Sequence, residues 1–217
     1  MKRTILLTAV LFLTLQVYTQ PVKYWGFKGG VTVSKYSDWS PADTTLKKLY
    51  TKQPGNRVLV NLAFFAEGLS TRHLSTVLEI GYNPKGASYG FSTLNGYGNV
   101  TGEESIDNRN GYLSISLCEK ARVNLKSTGF YIYFGPRVDM ELNENADIDF
   151  VPIYKKFKTV IYGLTTGIGI ELVDRKFKIL AELQYEPDLS YTLNDSFGIV
   201  KKSTWLVRIG VGFNEKK

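Results

Sequence analysis

STWLVRIGVGF, residues 203–213, alternates: Trp205, Val207, Ile209, Val211 and Phe213 are apolar, and Thr204, Arg208, Gly210 and Gly212 between them are polar or minimal. Alternation at period two gives a β-strand one dry face. A soluble barrel turns that face to its core and a membrane barrel turns it to lipid, so the orientation of these five side chains decides the fold and the class of function.

The same rhythm runs through the chain. Eight segments alternate, at 24–34, 58–69, 74–83, 111–125, 129–142, 157–173, 176–187 and 203–213, and no stretch after residue 20 has helical periodicity. Their connections alternate in length. Residues 70–73, 126–128 and 174–175 are tight links, whereas 35–57, 84–110, 143–156 and 188–202 are long, polar and rich in Gly, Asn, Asp and Ser. An even number of antiparallel strands, with short turns at one end and long loops at the other, is the plan of a transmembrane β-barrel. Soluble sandwiches do not segregate their connections in this way. Eleven residues at about 3.3 Å each, tilted by about 45°, match the roughly 25 Å apolar band of such barrels.

The composition of the two faces points to lipid outside. Phe130, Ile132, Phe134, Val138, Met140 and Leu142 oppose Tyr131, Tyr133, Gly135, Arg137, Asp139 and Glu141. Val160, Tyr162, Leu164, Ile168, Ile170 and Leu172 oppose Gly163, Thr165, Gly167, Gly169 and Glu171. Phe177, Ile179, Leu183 and Tyr185 oppose Lys178, Glu182, Gln184 and Glu186. Trp25, Phe27, Val31 and Val33 oppose Lys28 and Thr32; Val58, Val60, Leu62 and Phe64 oppose Asn61 and Glu67; Leu78, Ile80 and Tyr82 oppose Glu79. The lumen of an eight-stranded barrel is only wide enough for side chains to fill it. Glycines and mutually paired charges suit that space, because charge removed from water needs a partner. Trp and Tyr gather near strand ends, as in interfacial girdles. One residue breaks the pattern: Glu119 follows Leu113, Ile115 and Leu117 in the apolar row, and a bulge near Cys118 or a place at the membrane rim would accommodate it.

The ends of the chain agree with export. Lys2 and Arg3 precede an apolar run from Ile5 to Val17, which is the layout of a secretory signal peptide and too short for a spanning helix. The expected division is a signal peptide at 1–19 and one barrel domain at 20–217. Without the leader's two cations the balance of 27 basic against 20 acidic residues leaves an excess of about +5, spread along the chain, which gives no argument for nucleic acid. One Cys and one His leave no disulfide framework and no zinc site.

In order, FKGGVTVSKY at 27–36, GYLSISLCEKARV at 111–123, GFYIYFGPRVDMEL at 129–142, YGLTTGIGIEL at 162–172, KILAELQYEPDLS at 178–190 and the closing WLVRIGVGF resemble the Bacteroidota outer-membrane β-barrel domain family often called PorT-like. The resemblance implies an eight-stranded barrel inserted by the outer-membrane assembly machinery, in a family whose name-giving member is associated with protein secretion. This chain departs from it at Ser116, where the family often has Pro, and in the NEKK that follows Phe213.

The function expected is that of an integral outer-membrane protein of structural or interaction type, assisting secretion or transport. Both mature ends would be periplasmic, and the loops at 84–110 and 143–149 would meet a protein partner outside the cell. No catalytic, cofactor-binding or metal-ligating residue is assigned, and no enzymatic activity is expected. A lipid-modifying enzyme would need a nucleophile and base near the outer leaflet, but His73 falls in a tight turn at the other end. Asp139 with Glu141, or Glu182 with Glu186, could do acid–base work, against which stands ion pairing with Arg137, Lys178 and Arg208. The remaining alternative is an exported lipocalin-like carrier with its faces reversed around an apolar ligand. The triplets NVT at 99–101 and NDS at 194–196 are chance matches to the glycosylation sequon.

Overall fold

A computed structural model of the chain describes residues 22–41, 55–94, 100–146, 158–195 and 198–215. The expected leader at 1–19 lies outside them. The chain forms β1 (Tyr24–Pro41), β2 (Arg57–Gly68), β3 (Leu74–Leu94), β4 (Val100–Leu125), β5 (Thr128–Ala146), β6 (Val160–Val173), β7 (Phe177–Pro187), a three-residue β8 (Leu193–Asp195) and β9 (Gly198–Asn214). Each strand of the wall pairs antiparallel with the next, β7 pairs with β9, and β9 returns to β1, so eight strands close a barrel. β8 is a short flap on β9 at the loop end.

The registers fix the geometry. The hydrogen-bonded rows lead from Gly68 to Thr76, Glu119, Phe134, Thr166, Tyr185, Trp205, Val33 and back to β2 at Val58, ten residues from the start. A shear of ten over eight strands, with strands about 4.8 Å apart and a rise of about 3.3 Å per residue, tilts the strands by about 41°. Each residue therefore climbs about 2.5 Å along the barrel axis.

The alternation of the closing strand resolves outward. Ile209 is 67% exposed and Val207 62%, while Arg208 between them is 3% exposed and Leu206 1%. The other apolar rows agree, among them Val58, Val60, Leu62, Phe27, Phe130, Ile132, Phe134, Ile168 and Leu172, all exposed. At the short-turn end Trp25 packs on Phe213 with ring centroids 5.2 Å apart, and nearer the loop end Tyr185 packs on Trp205 at 4.6 Å. From Trp205 to Phe213 the strand climbs about 20 Å, so the two aromatic levels bracket most of a roughly 25 Å apolar band.

Three expectations change. Much of the sequence read as long loops is strand: β3 and β4 pair out to Leu94 and Val100, β1 and β9 to Pro41 and Gly198, and β5 continues through Asn143 to Ala146. No bulge adjoins Cys118, since the β4–β5 register is the same at Ser116 and at Glu119; the shift lies at Gly111 and Tyr112 instead. Glu119 simply faces outward, opposite Thr76 near the beginning of β3, whose hydroxyl donates to Glu119 Oε1 at 2.8 Å. No bulge accommodates it: the Thr76 hydroxyl is its hydrogen-bond partner, and the exposed Val123 and Leu125 lie nearer the β4–β5 turn on the same row. Third, the inner face is not wholly polar: Phe65, Val77 and Leu180 form a buried apolar cluster inside.

Closure depends on missing side chains. A Cβ on Gly26 or Gly30 would collide with the backbone of Val211 or Val207 in β9, and one on Gly135 with the backbone of Leu117. At these places on β1–β9 and, four strands away, on β4–β5 only glycine permits the close approach of the strands. Gly29 is different, because its Cβ would lie 3.1 Å from the mobile end of Leu62. Gly30→Ala is expected to cost about 3 kcal/mol or more and to slow closure, whereas Gly29→Ala stays within about 1 kcal/mol of wild type; urea unfolding in lipid vesicles compares the two.

Candidate functional site

The inward positions build a column of charge in tiers. On β7 the inward residues Lys178, Glu182 and Glu186 stand four residues apart, which places successive tiers about 10 Å apart along the axis. β1 contributes Lys28 to the middle tier and β3 contributes Glu79, so each tier gathers side chains from opposite walls.

In the tier at the short-turn end, Glu67 and Glu171 face Lys120, Arg122 and Lys178. Lys120 reaches Glu171 at 2.5 Å and Glu67 at 3.1 Å, Arg122 reaches Glu67 at 3.1 Å, and Lys178 pairs with Glu67. Ser75 donates to Glu67 Oε1 at 2.8 Å. Two of the three cations lie over rings, Lys120 4.0 Å from the Tyr131 centroid and Lys178 4.4 Å from that of Tyr24, where the ring quadrupole adds attraction.

The middle tier is neutral. Lys28 Nζ lies 2.9 Å from both Glu79 and Glu182, and Arg208 pairs with Glu79 and reaches Glu182 at 3.0 Å. The Tyr131 hydroxyl donates to Glu182 and that of Tyr133 to Gln184, each at 2.9 Å.

The tier nearest the loops carries the compensating acid. Lys85 Nζ reaches Asp139 at 2.6 Å and Asp188 at 3.2 Å, while Arg137 spans Asp139 at 2.9 Å, Glu186 at 3.0 Å and Asp188 at 2.5 Å. Ser114 and Asn83 donate further bonds to Asp139 and Glu186 at 2.6 Å. Above them Lys202 donates to the Tyr112 hydroxyl at 2.9 Å. A surplus of cations at one end and of carboxylates at the other nearly cancels over the column, which is how a low-dielectric lumen tolerates so many ions.

The acidic residues considered for acid–base work are all engaged here. Asp139 is held by Lys85 and Arg137, Glu182 by Lys28 and Arg208, and Glu186 by Arg137, while Glu141 accepts from Asn110 at 2.5 Å. Glu182 and Glu186 belong to different tiers. His73 is exposed beside the β2–β3 turn, 3.4 Å from the Arg122 carbonyl. Lys85 and Asp188 were missed as interior residues because both fall in stretches read as loop; their signal is that inward parity continues from Asn83 to Lys85 and from Glu186 to Asp188.

Space in the lumen is scant. One cavity touches Glu67, Glu79 and Glu182, another touches Asn61, Arg137 and Arg208, and each measures about 10 Å³, no more than one water. A groove of about 1110 Å³ lies elsewhere, on the outer wall over β4 to β9. Among the described residues charged side chains fill the space between these two cavities, and the faces are the reverse of those a lipocalin-like carrier requires.

Glu67 is the anion on which the lower tier turns. Glu67→Gln leaves three cations sharing Glu171 and is expected to cost about 3–5 kcal/mol. Glu119→Gln, on the outer face, changes stability by about 1 kcal/mol or less; equilibrium unfolding in vesicles measures both.

No curated protein matches the chain. Among solved structures, the outer membrane protein OprG from Pseudomonas aeruginosa superposes with a TM-score of 0.51 at 12% identity, over 91% of this chain and 98% of that one. Neisserial surface protein A gives 0.46 at 13% identity, over 88% and 96%. At such identities the likeness concerns fold, and OprG supplies it. Residues 20–198 match the outer membrane protein β-barrel domain family, and with a closed eight-stranded wall, apolar outside and charged within, the chain belongs to that family.

Proposed function

We propose that the protein is an integral outer-membrane barrel of the PorT-like kind, exported by a leader cleaved near Gln20, which serves secretion or transport as a membrane-embedded interaction component and is neither a pore nor an enzyme. The observation that carries this reading is the lumen, where paired charges fill the cross-section and leave cavities no larger than a water. A wall so filled gives the protein a rigid anchor, and the loop end is the part free to meet a partner.

In this reading the short turns face the periplasm, the extended β3–β4 hairpin and the β5–β6 connection face outward, and the wall contacts outer-membrane lipid. The closing strand, with Phe213 as its terminal outward aromatic, is the segment offered to the assembly machinery. The ordered resemblance of six strand motifs supports the PorT-like assignment, and the engagement of Asp139, Glu141, Glu182 and Glu186 in structural bonds supports the absence of chemistry.

Expression of the full chain in a Gram-negative host tests the reading. The expected result is recovery from the outer-membrane fraction only with detergent, a mobility shift between unheated and heated samples, and no steady current in planar bilayers. A soluble periplasmic monomer with unchanged mobility would overturn it, and sustained conductance would overturn the plug.

A further inference from the structure

The end of the barrel with the short turns is strongly basic. Lys23, Arg72, Lys126, Arg175 and Lys176 lie there against Asp174 and Glu215, and the sequence continues with Lys216 and Lys217. Among the described residues five cations stand there against two acids. Arg72, Lys126, Arg175 and Lys176 are exposed. None of them enters the ion-pair tiers inside.

Directly above this rim, the wall carries the large outer groove. Ala121 and Ala181 form part of its floor, between the bulkier Ile132, Ile168, Ile170 and Ile209. Ile170 stands opposite Ala181, and Ala181 opposite Ile209, so a methyl group sits where the neighbouring strands present branched side chains. The strands beneath the groove end in the β4–β5 turn with Lys126 and the β6–β7 turn with Arg175 and Lys176. Apolar space of acyl-chain calibre thus stands over a cluster of cations at headgroup depth. Asp174 shares the β6–β7 turn with Arg175 and Lys176 and is exposed, so three cations face one carboxylate across the two turns, while Glu119 on the wall accepts a hydrogen bond from Thr76.

We propose that this edge of the barrel binds anionic phospholipid of the periplasmic leaflet, the phosphate held by Lys126, Arg175 and Lys176 and an acyl chain lying in the groove over Ala181. The proposal rests on the membrane orientation given under Proposed function. Charge complementarity argues for this occupant: basic residues next to a bilayer attract anionic headgroups and act within a Debye length of the surface. Zwitterionic lipid could fill the groove equally well but would gain little from the rim.

The test reconstitutes the full mature chain in vesicles of equal phosphatidylcholine and phosphatidylglycerol, followed by gentle extraction and native mass spectrometry of the lipids that stay bound. Wild type is expected to retain phosphatidylglycerol over phosphatidylcholine by roughly fivefold at low salt, with the preference shrinking as salt is raised. The triple variant Lys126→Gln, Arg175→Gln, Lys176→Gln loses the preference while keeping its heat-modifiable mobility. Ala181→Leu, which fills the groove, lowers the total lipid retained. Equal retention of the two lipids by wild type, or a preference untouched by the triple variant, would overturn the proposal. Cation-dependent capture on peptidoglycan sacculi without any lipid preference would also overturn it and assign the rim to the cell wall. Failure to insert into vesicles at all would instead strike the membrane reading, so the two failures are distinguishable.

Discussion

Everything in this molecule depends on β1 pairing with β9. An open sheet of these strands would leave two edges of unpaired N–H and C=O groups, which in hydrocarbon have nothing to bond with. Once closed, the wall satisfies its own backbone, and the apolar rows can face lipid. The closure is made by residues with no side chain to offer: Gly26 and Gly30 let β1 approach β9, and Gly135 allows the same close approach of β5 to β4 on the opposite side. A sheet-stabilising Val at those places, favoured by local propensity, would hold the strands apart.

Closure also dictates the interior. Eight strands with a shear of ten leave a lumen that side chains must fill, and the fill here is ionic. An apolar plug would pack as well and avoid the desolvation of each ion. The apolar cluster of Phe65, Val77 and Leu180 shows that the lumen accepts such residues. What the charges add is long-range specification: Lys28 needs Glu79 from β3 and Glu182 from β7, so a strand inserted one residue out of register would bury unpaired ions.

The sequence makes some of this legible and hides the rest for a physical reason. Alternation can be read wherever the two faces of a strand meet different media, and that is why Ile209 and Arg208 could be assigned to opposite sides of the wall. Beyond the apolar band the two faces of β3 no longer differ in this way, since Asn83, Pro84, Lys85, Gly86 and Ala87 are all buried. The contrast vanishes there, and residues 84–110 read as loop although most of them pair. Charge partners were legible as a class but not as individuals. That Arg137 would be paired follows from burial, but that Asp188 would be one of its partners depends on a register no local pattern records. Glu119 marks another limit, since alternation left a bulge and a rim position both open, and only the β4–β5 register, unshifted across Cys118, excludes the bulge.

The β3–β4 hairpin has one further consequence. Tyr82 marks roughly the upper edge of the apolar band on β3, and the ladder with β4 continues twelve residues beyond it to Leu94. At about 2.5 Å of climb per residue the tip stands off by about 30 Å from that edge. The far end of the described ladder is thus carried well clear of that edge, on a lever whose base is bonded into the wall of the barrel.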